Sequence, residues 1–273
     1  MNFATTKISR VAVLLLACWH GASAPAQISP TIPRATAADS TQPQYYEFRV
    51  YATASAKQQK LVSDYWQNAA IPAYHRQGIQ PIGVFTELED SPSNSVYVLI
   101  PYDSPGAFAA VPAALAADAA YQQAAADYLA VPRNDPAYVR FESSLLVAFD
   151  TMKHLELPPS SAEKKPWVFE LRMYQSHSEG KGNTKVRMFN NGETEVMKAV
   201  GLNPVFFGQA VVGPQLPRLV YMLSGENVDE HKKHFKAFND SAVWKKLNAD
   251  PQYRDAVSKI TSIFLKRTAA SEI

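Results

Sequence analysis

The feature that most constrains this chain is that it carries the same stretch twice. Glu47-Phe48-Arg49-Val50-Tyr51 returns 123 residues later as Glu170-Leu171-Arg172-Met173-Tyr174. The same offset carries Gly78 onto Gly201, Pro81 onto Pro204, Leu99-Ile100 onto Met222-Leu223 and Tyr121 onto Trp244. Later, Asp135-Pro136-Ala137-Tyr138 matches Asp250-Pro251-Gln252-Tyr253 at an offset of 115, so the first copy holds about eight extra residues near 124–132. Matches that keep their order over such a length mark a duplicated folding unit.

Each copy reads as the same series of elements. Residues 45–52 alternate polar and apolar, the period of a strand. Residues 55–78 place Leu61, Tyr65, Trp66, Ala69 and Tyr74 at helical spacing. Gly78 suits the helix end and Pro72 a kink. Two β-rich runs follow, 80–88 and 95–102, with Ser91-Pro92-Ser93-Asn94 as turn chemistry between them. An Ala-rich helix over 105–130 and a strand over 138–149 complete the unit. The second copy gives a strand at 166–175, a helix at 183–201, strands at 203–211 and 217–224, a helix at 227–249 and a strand at 257–267. Repeat 1 thus spans 45–150 and repeat 2 spans 166–267, joined by a linker, 151–165. Trp66, Tyr121, Phe189 and Trp244 fall at helical positions and are expected in the core.

A βαββαβ unit is the ferredoxin-like arrangement, a four-stranded antiparallel sheet with two helices on one face. Two such α+β units in one chain cover each other's open face by closing into a pseudo-dimeric α/β barrel. On the first strand, Glu47, Arg49 and Tyr51 share one face, and Tyr46, Phe48 and Val50 the other. Glu170, Arg172 and Tyr174 repeat this on the second copy. With the apolar face assigned to the helices, the charged face is directed at the opposing sheet, inside the barrel or at its mouth. Two readings stay open there. The Glu–Arg pairs can simply fix register between sheets. Alternatively, the six residues are ligand-binding candidates, and because Arg holds carboxylate or phosphate bidentately, the ligand is a small acidic or oxygen-rich molecule.

The N-terminus reads as an address. Lys7 and Arg10 precede a short apolar run, Val11 to Cys18, and small residues lead to Ala26. This is a secretory signal over 1–26, and the run is far below the ~20 apolar residues of a membrane span. The expected location is the bacterial periplasm. A rival reading takes Leu15-Leu16-Ala17-Cys18 as a lipobox with Cys18 lipidated. Residues 27–44, rich in Pro, Ser, Thr and Gln, read as a flexible leader. Cys18 is the only cysteine, so a chain cleaved at Ala26 has no disulfide, thiolate or Cys-ligated zinc chemistry.

Charge narrows the partners. Lys and Arg number 27 against 25 Asp and Glu, and the excess lies within the signal. A neutral mature chain offers no electrostatic footprint for nucleic acid. No phosphate loop, nucleophile elbow, HExxH or haem attachment motif is present, so no cofactor is expected. His75, three residues before Gly78, is a catalytic candidate as a general base, or a helix-end cation favoured by the dipole. Its repeat counterpart is Lys198. His231 and His234, three apart with lysines between, could share a metal but read as a solvated surface, and no metal site is expected.

The Glu47–Tyr51 and Glu170–Tyr174 strand starts resemble the NIPSNAP family. So do the helix bearing Trp66, the run from Ile71 through Pro72, Ala73, Tyr74, His75, Arg76 and Gln77 to Gly78, and the strand pair Pro81–Phe85 and Val96–Ile100. The resemblance covers about 45–149 and 166–267. It implies a dimeric α/β-barrel fold and no agreed catalytic residues. Departures are Lys198 in place of the histidine, and the Gly- and Asn-rich 179–193. The resulting expectation is an exported small-ligand binding or interaction protein. The alternative is a cofactor-independent monooxygenase or isomerase working in the barrel cavity, with His75 as base and Arg49 or Arg172 as oxyanion stabiliser. The two repeats can satisfy each other or each pair with a second chain, which leaves a homodimer open.

Overall fold

A computed structural model of the chain describes residues 41–88, 93–163 and 167–273. The secretory signal, Cys18 and most of the leader lie outside the described residues, as do Ser91 and Pro92 of the expected turn. Repeat 1 comprises strand β1 (Tyr45–Ala52), helices α1 (Ala56–Tyr65) and α2 (Ile71–Arg76), and strands β2 (Gly83–Glu87) and β3 (Val96–Tyr102). Helices α3 (Pro105–Ala117), α4 (Ala119–Ala124) and α5 (Ala126–Leu129) and strand β4 (Arg140–Ala148) follow. After the short helix α6 (Pro159–Glu163), repeat 2 opens with β5 (Val168–Gln175), α7 (Glu179–Met188), α8 (Thr194–Ala199), β6 (Asn203–Val212) and β7 (Arg218–Gly225). It closes with α9 (Val228–Asp240), α10 (Ala242–Ala249) and β8 (Lys259–Arg267).

The strands form one closed antiparallel barrel in the order β1-β3-β2-β8-β5-β7-β6-β4. Each repeat supplies four contiguous strands, and the seams β2–β8 and β4–β6 join them by backbone hydrogen bonds. Register repeats with the sequence: Glu47 lies opposite Ile100 on one side and Leu145 on the other, as Glu170 lies opposite Leu223 and Phe264. Closing the ring satisfies both edges of each four-stranded sheet, which would otherwise expose unpaired backbone groups.

Local chemistry sets the helix boundaries. Ser55 and Ser178, at the same place in the two repeats, cap α1 and α7 by accepting from the backbone N–H three residues on. The cap lets α7 begin at Glu179, four residues ahead of the expected start, despite Gly180 and Gly182. The long helix over 55–78 is broken by a π-turn at Trp66–Ala70 immediately before Pro72, which lacks an N–H to continue the α ladder. Repeat 2 breaks at the same place, Phe189–Glu193, without a proline. There Gly192 takes φ +128°, open to a residue with no side chain. Gly78 and Gly201 end the two helices at positive φ, as expected. The expected helices over 105–130 and 227–249 are each divided, at Asp118 and Ser241, whose side chains cap the next segment.

The two ends of repeat 1 are tied more closely than expected. Gln44, assigned to the leader, exchanges backbone hydrogen bonds with Lys153 and Ala148. Leu155, in the expected linker, packs on the barrel core.

The faces of the strands are the reverse of the expected ones. Tyr46 and Phe48 point into the barrel, where they meet Phe85, Leu99, Leu146, Phe169, Leu171, Phe206, Val220, Met222 and Leu265, all buried. The charged face, with Glu47, Arg49 and Tyr51, points outward under the helices, and so does that of Glu170, Arg172 and Tyr174. A barrel of about eight strands is just wide enough for side chains to fill. Its interior is filled largely by aromatic and aliphatic side chains, while the helix layer brings Tyr74 to Arg49 and His231 to Glu170. β3 and β7 are buried throughout, and β1 and β5 are buried or half-buried on both faces save at Ala52, so in these strands alternation separates two kinds of burial rather than core from solvent.

Candidate functional site

Each repeat builds the same polar stack between its sheet and its helices. In repeat 1, Arg49 donates to both carboxylate oxygens of Glu47 through Nε and Nη2. It also donates to the hydroxyls of Tyr51 (3.4 Å) and Tyr74 (3.0 Å). Tyr102 and Ser143 donate to Glu47 at 3.0 and 2.6 Å. Arg49 is stacked by Trp66 and Phe141, whose ring centres lie 5.5 and 5.8 Å from its Cζ. Tyr138 closes on Tyr51 from the side. The stack is enclosed by aromatic side chains, and burial pushes Tyr74 up to about 12.

Repeat 2 uses different residues for the same carboxylate. Glu170 accepts from Arg172 Nη1, from Ser262 and, at 2.8 Å, from His231 Nε2. His231 on α9 replaces Tyr102 on β3. The strand position of Tyr102 is occupied here by Gly225, and the place of His231 by Phe108 in repeat 1. A Cβ at Gly225 would stand 3.1 Å from His231 Nδ1, a tight contact that the glycine avoids. Burial pushes the Glu170 carboxyl up, but the bonds from His231 and Ser262 and the Arg172 charge outweigh it, and the net shift is down.

The arginines differ in what is left over. Arg49 engages four of its five N–H donors. Arg172 engages two, one on Glu170 and one on the Tyr174 hydroxyl at 3.2 Å, and its buried Nε has no partner. Tyr174 in turn bonds Tyr221 at 3.0 Å. Phe235 lies against the guanidinium, 4.8 Å from Cζ to ring centre.

A cleft of about 700 Å³ opens beside Arg172, walled by Tyr174, Phe235, Trp244 and Tyr253, with Asn239 and Asn248 at its sides. Its floor holds a buried ion pair, Lys185 to Glu193 at 2.6 Å. The Lys185 ammonium sits among the rings of Phe189, Trp244 and Tyr174, at 4.7, 5.4 and 5.6 Å. Burial raises the Glu193 carboxyl against the pull of Lys185. At the positions of Lys185 and Glu193, repeat 1 has Val62 and Ala70, both fully buried. At the position of Phe141, opposite the strand tyrosine, repeat 2 has Ile260, half exposed at the cleft edge.

Of the residues singled out in the sequence, Arg172 and Tyr174 line the cleft, and Glu170 supports Arg172 from behind. Glu47, Arg49 and Tyr51 form the closed counterpart in repeat 1. None of the six points into the barrel. His75 stands apart at the end of α2, with Nε2 2.8 Å from Glu272 Oε1 but off the line of a hydrogen bond. His231 is buried on Glu170 rather than solvated, and His234 lies against Gly201. Among the described residues no group of three or more His, Cys, Asp or Glu is placed to hold a metal. Trp66, Tyr121 and Phe189 are buried as expected, whereas Trp244 forms a cleft wall. Lys185 and Glu193 escaped notice because single-sequence periodicity treats charged residues as outward-facing. Aligning the repeats position by position, with Val62 and Ala70 opposite them, is the signal that finds them.

No helix among the described residues is long and apolar enough to cross a membrane. No curated protein matches the chain. Among solved structures, a candidate monooxygenase of Lactobacillus acidophilus is similar at a TM-score of 0.55 and 11% identity, over 85% of this chain and 97% of that one. A candidate monooxygenase of Fusobacterium nucleatum is similar at 0.53 and 9%, over 83% and 93%. An anthrone oxidase-like protein is similar at 0.50 and 10%, over 83% and 92%. At such identities the likeness is one of fold. The NIPSNAP family model, by contrast, matches the sequence twice, over residues 46–147 and 169–272. These two segments are the two halves of the barrel, and the chain belongs to the NIPSNAP family.

Proposed function

We propose that this protein is an exported binder of a small organic acid, and that the cleft of repeat 2 is where the acid sits. The observation that carries the reading is the set of unengaged N–H donors on Arg172. Nη1 and Nη2 each keep one N–H beyond those given to Glu170 and Tyr174, and a carboxylate brought to the guanidinium accepts from them in charge-assisted form. The cleft volume is that of a small-molecule site, and its lining mixes aromatic rings with charged groups, Arg254 and Asp255 among them. The test is native mass spectrometry of protein purified from its own cells. Wild-type protein retains a small acid, and Arg172→Gln loses it. Wild type without bound acid, or the same bound mass in the variant, overturns the reading.

One observation favours a second reading, a cofactor-independent monooxygenase or isomerase. Glu193, raised by burial, faces the same cleft as Arg172, which is the pairing of a base with an oxyanion partner. In either reading the site is the cleft outside the barrel, because the interior is packed with apolar side chains.

A further inference from the structure

The buried pair Lys185–Glu193 is not required by the fold. The same helix positions in repeat 1 are Val62 and Ala70, equally buried, and that half of the barrel closes with the same register. Removing two charges from water carries a desolvation penalty that mutual attraction often fails to recover, and apolar replacements of such pairs are commonly neutral or stabilising. Repeat 2 nevertheless keeps the pair, on the floor of the cleft, beneath Tyr174 and Trp244. Arg172 and Lys185 both lie 5.6 Å from the centre of the Tyr174 ring. One aromatic wall therefore joins an anion-accepting group to a carboxylate that can accept a hydrogen bond.

We propose that Lys185 and Glu193 set the specificity of the cleft, selecting an aromatic acid that carries a ring hydroxyl: its carboxylate on Arg172, its ring along Tyr174, Phe235 and Trp244, its hydroxyl donating to Glu193. This rests on the cleft being the acid site. Lys185 holds Glu193 in place at 2.6 Å. Glu193 is buried and accepts from Lys185 through Oε2, and the ligand hydroxyl adds a donor at its other oxygen. A site built for a hydroxyl discriminates strongly against the analogue lacking one, because its own polar group is then left unpaired.

The experiment compares 3- and 4-hydroxybenzoate with benzoate by calorimetric titration of the full chain. The wild type is expected to bind one hydroxybenzoate at least about tenfold more tightly than benzoate. The double variant Lys185→Val with Glu193→Ala, which restores the repeat 1 pair, is expected to lose that preference while still binding benzoate and unfolding at the same or a higher temperature. Equal wild-type affinity for the three acids overturns this inference and leaves acid binding standing. A double variant that keeps the preference also overturns it. If none of the three acids binds, both this inference and its aromatic ligand class fall, and the native mass measurement decides separately whether any acid is held. Glu193→Gln, which keeps the shape and a neutral acceptor oxygen, is a second check on folding: it should weaken the hydroxyl preference less than the double variant does.

Discussion

The two halves of this barrel are built on one plan and have been finished differently. In repeat 1 the strand arginine has one N–H to spare: Glu47 takes two of its donors, Tyr51 and Tyr74 take two more, and Trp66 and Phe141 stack on it. In repeat 2 the same arginine keeps donors in reserve, the stacking residue of the last strand is Ile260, and a cleft stands open. The lesson is that a duplicated polar stack has two uses. Where most of its donors are engaged and aromatics cover it, it holds sheet to helices. Where three donors are left over beside a cleft, it can receive the proposed acid. The exchange of Tyr102 and Phe108 for Gly225 and His231 shows how coordinated the change is: the carboxylate keeps a donor at the same oxygen while the residue that supplies it moves from strand to helix.

The contrast predicts unequal costs for equivalent mutations. Arg49→Ala should cost about 3 kcal/mol or more, because it strips two charge-assisted bonds from buried Glu47 and leaves it only the hydroxyls of Tyr102 and Ser143. Arg172→Ala should cost about 1–2 kcal/mol, since Glu170 keeps His231 and Ser262 and loses a single bond. Urea unfolding of the two variants measures both, and equal losses would break the distinction between a structural and a functional arginine.

A smaller effect concerns acid. The Glu170 carboxyl is held below its ordinary value of 4.5 in the folded protein. The unfolded chain therefore binds that proton first as pH falls, and the stability Glu170 contributes is complete above the ordinary carboxylate range and lost as pH drops through the depressed value. Glu193 has the opposite sign. Its raised carboxyl favours folding at low pH, and that contribution is lost as pH rises through the folded value. Stability measured against pH should show a shallower acid loss in Glu170→Gln and a steeper one in Glu193→Gln. Parallel curves would remove the electrostatic difference between the two carboxylates.

The smallest effect is where the repeats should agree. Ser55→Ala and Ser178→Ala each remove the same N-cap bond, and each should cost about 1 kcal/mol. A marked inequality in thermal unfolding would mean that the asymmetry extends beyond the polar stack into the helix frame.

Much of this fold is legible in residue order. Strand alternation, Pro72 and the terminal glycines are local signals, and each acts within a turn or two of its own position. The offset between copies yields the pairing scheme, because a repeated βαββαβ pattern has few ways to bury its sheets. Arg172 and Tyr174 were recognisable as site candidates because Arg and Tyr on one strand face have a chemistry that does not depend on their neighbours. His231 was not, since lysines beside it in the chain say nothing of Gly225 across the fold. Lys185 and Glu193 were hidden for the same reason.

Read alone, the order of residues determined that there are two equivalent units and which side chains share a strand face. Only the closed barrel decided which face turns inward. Alternation has a period but no direction, and a chain that buries both faces must settle the choice by volume and by partners. A narrow ring accepts Tyr46, Phe48, Phe169 and Leu171, and the hydroxyls and the imidazole that can satisfy Glu47 and Glu170 lie on the outer side. The cleft itself was decided last, by which side chains from distant elements fill the space over each arginine.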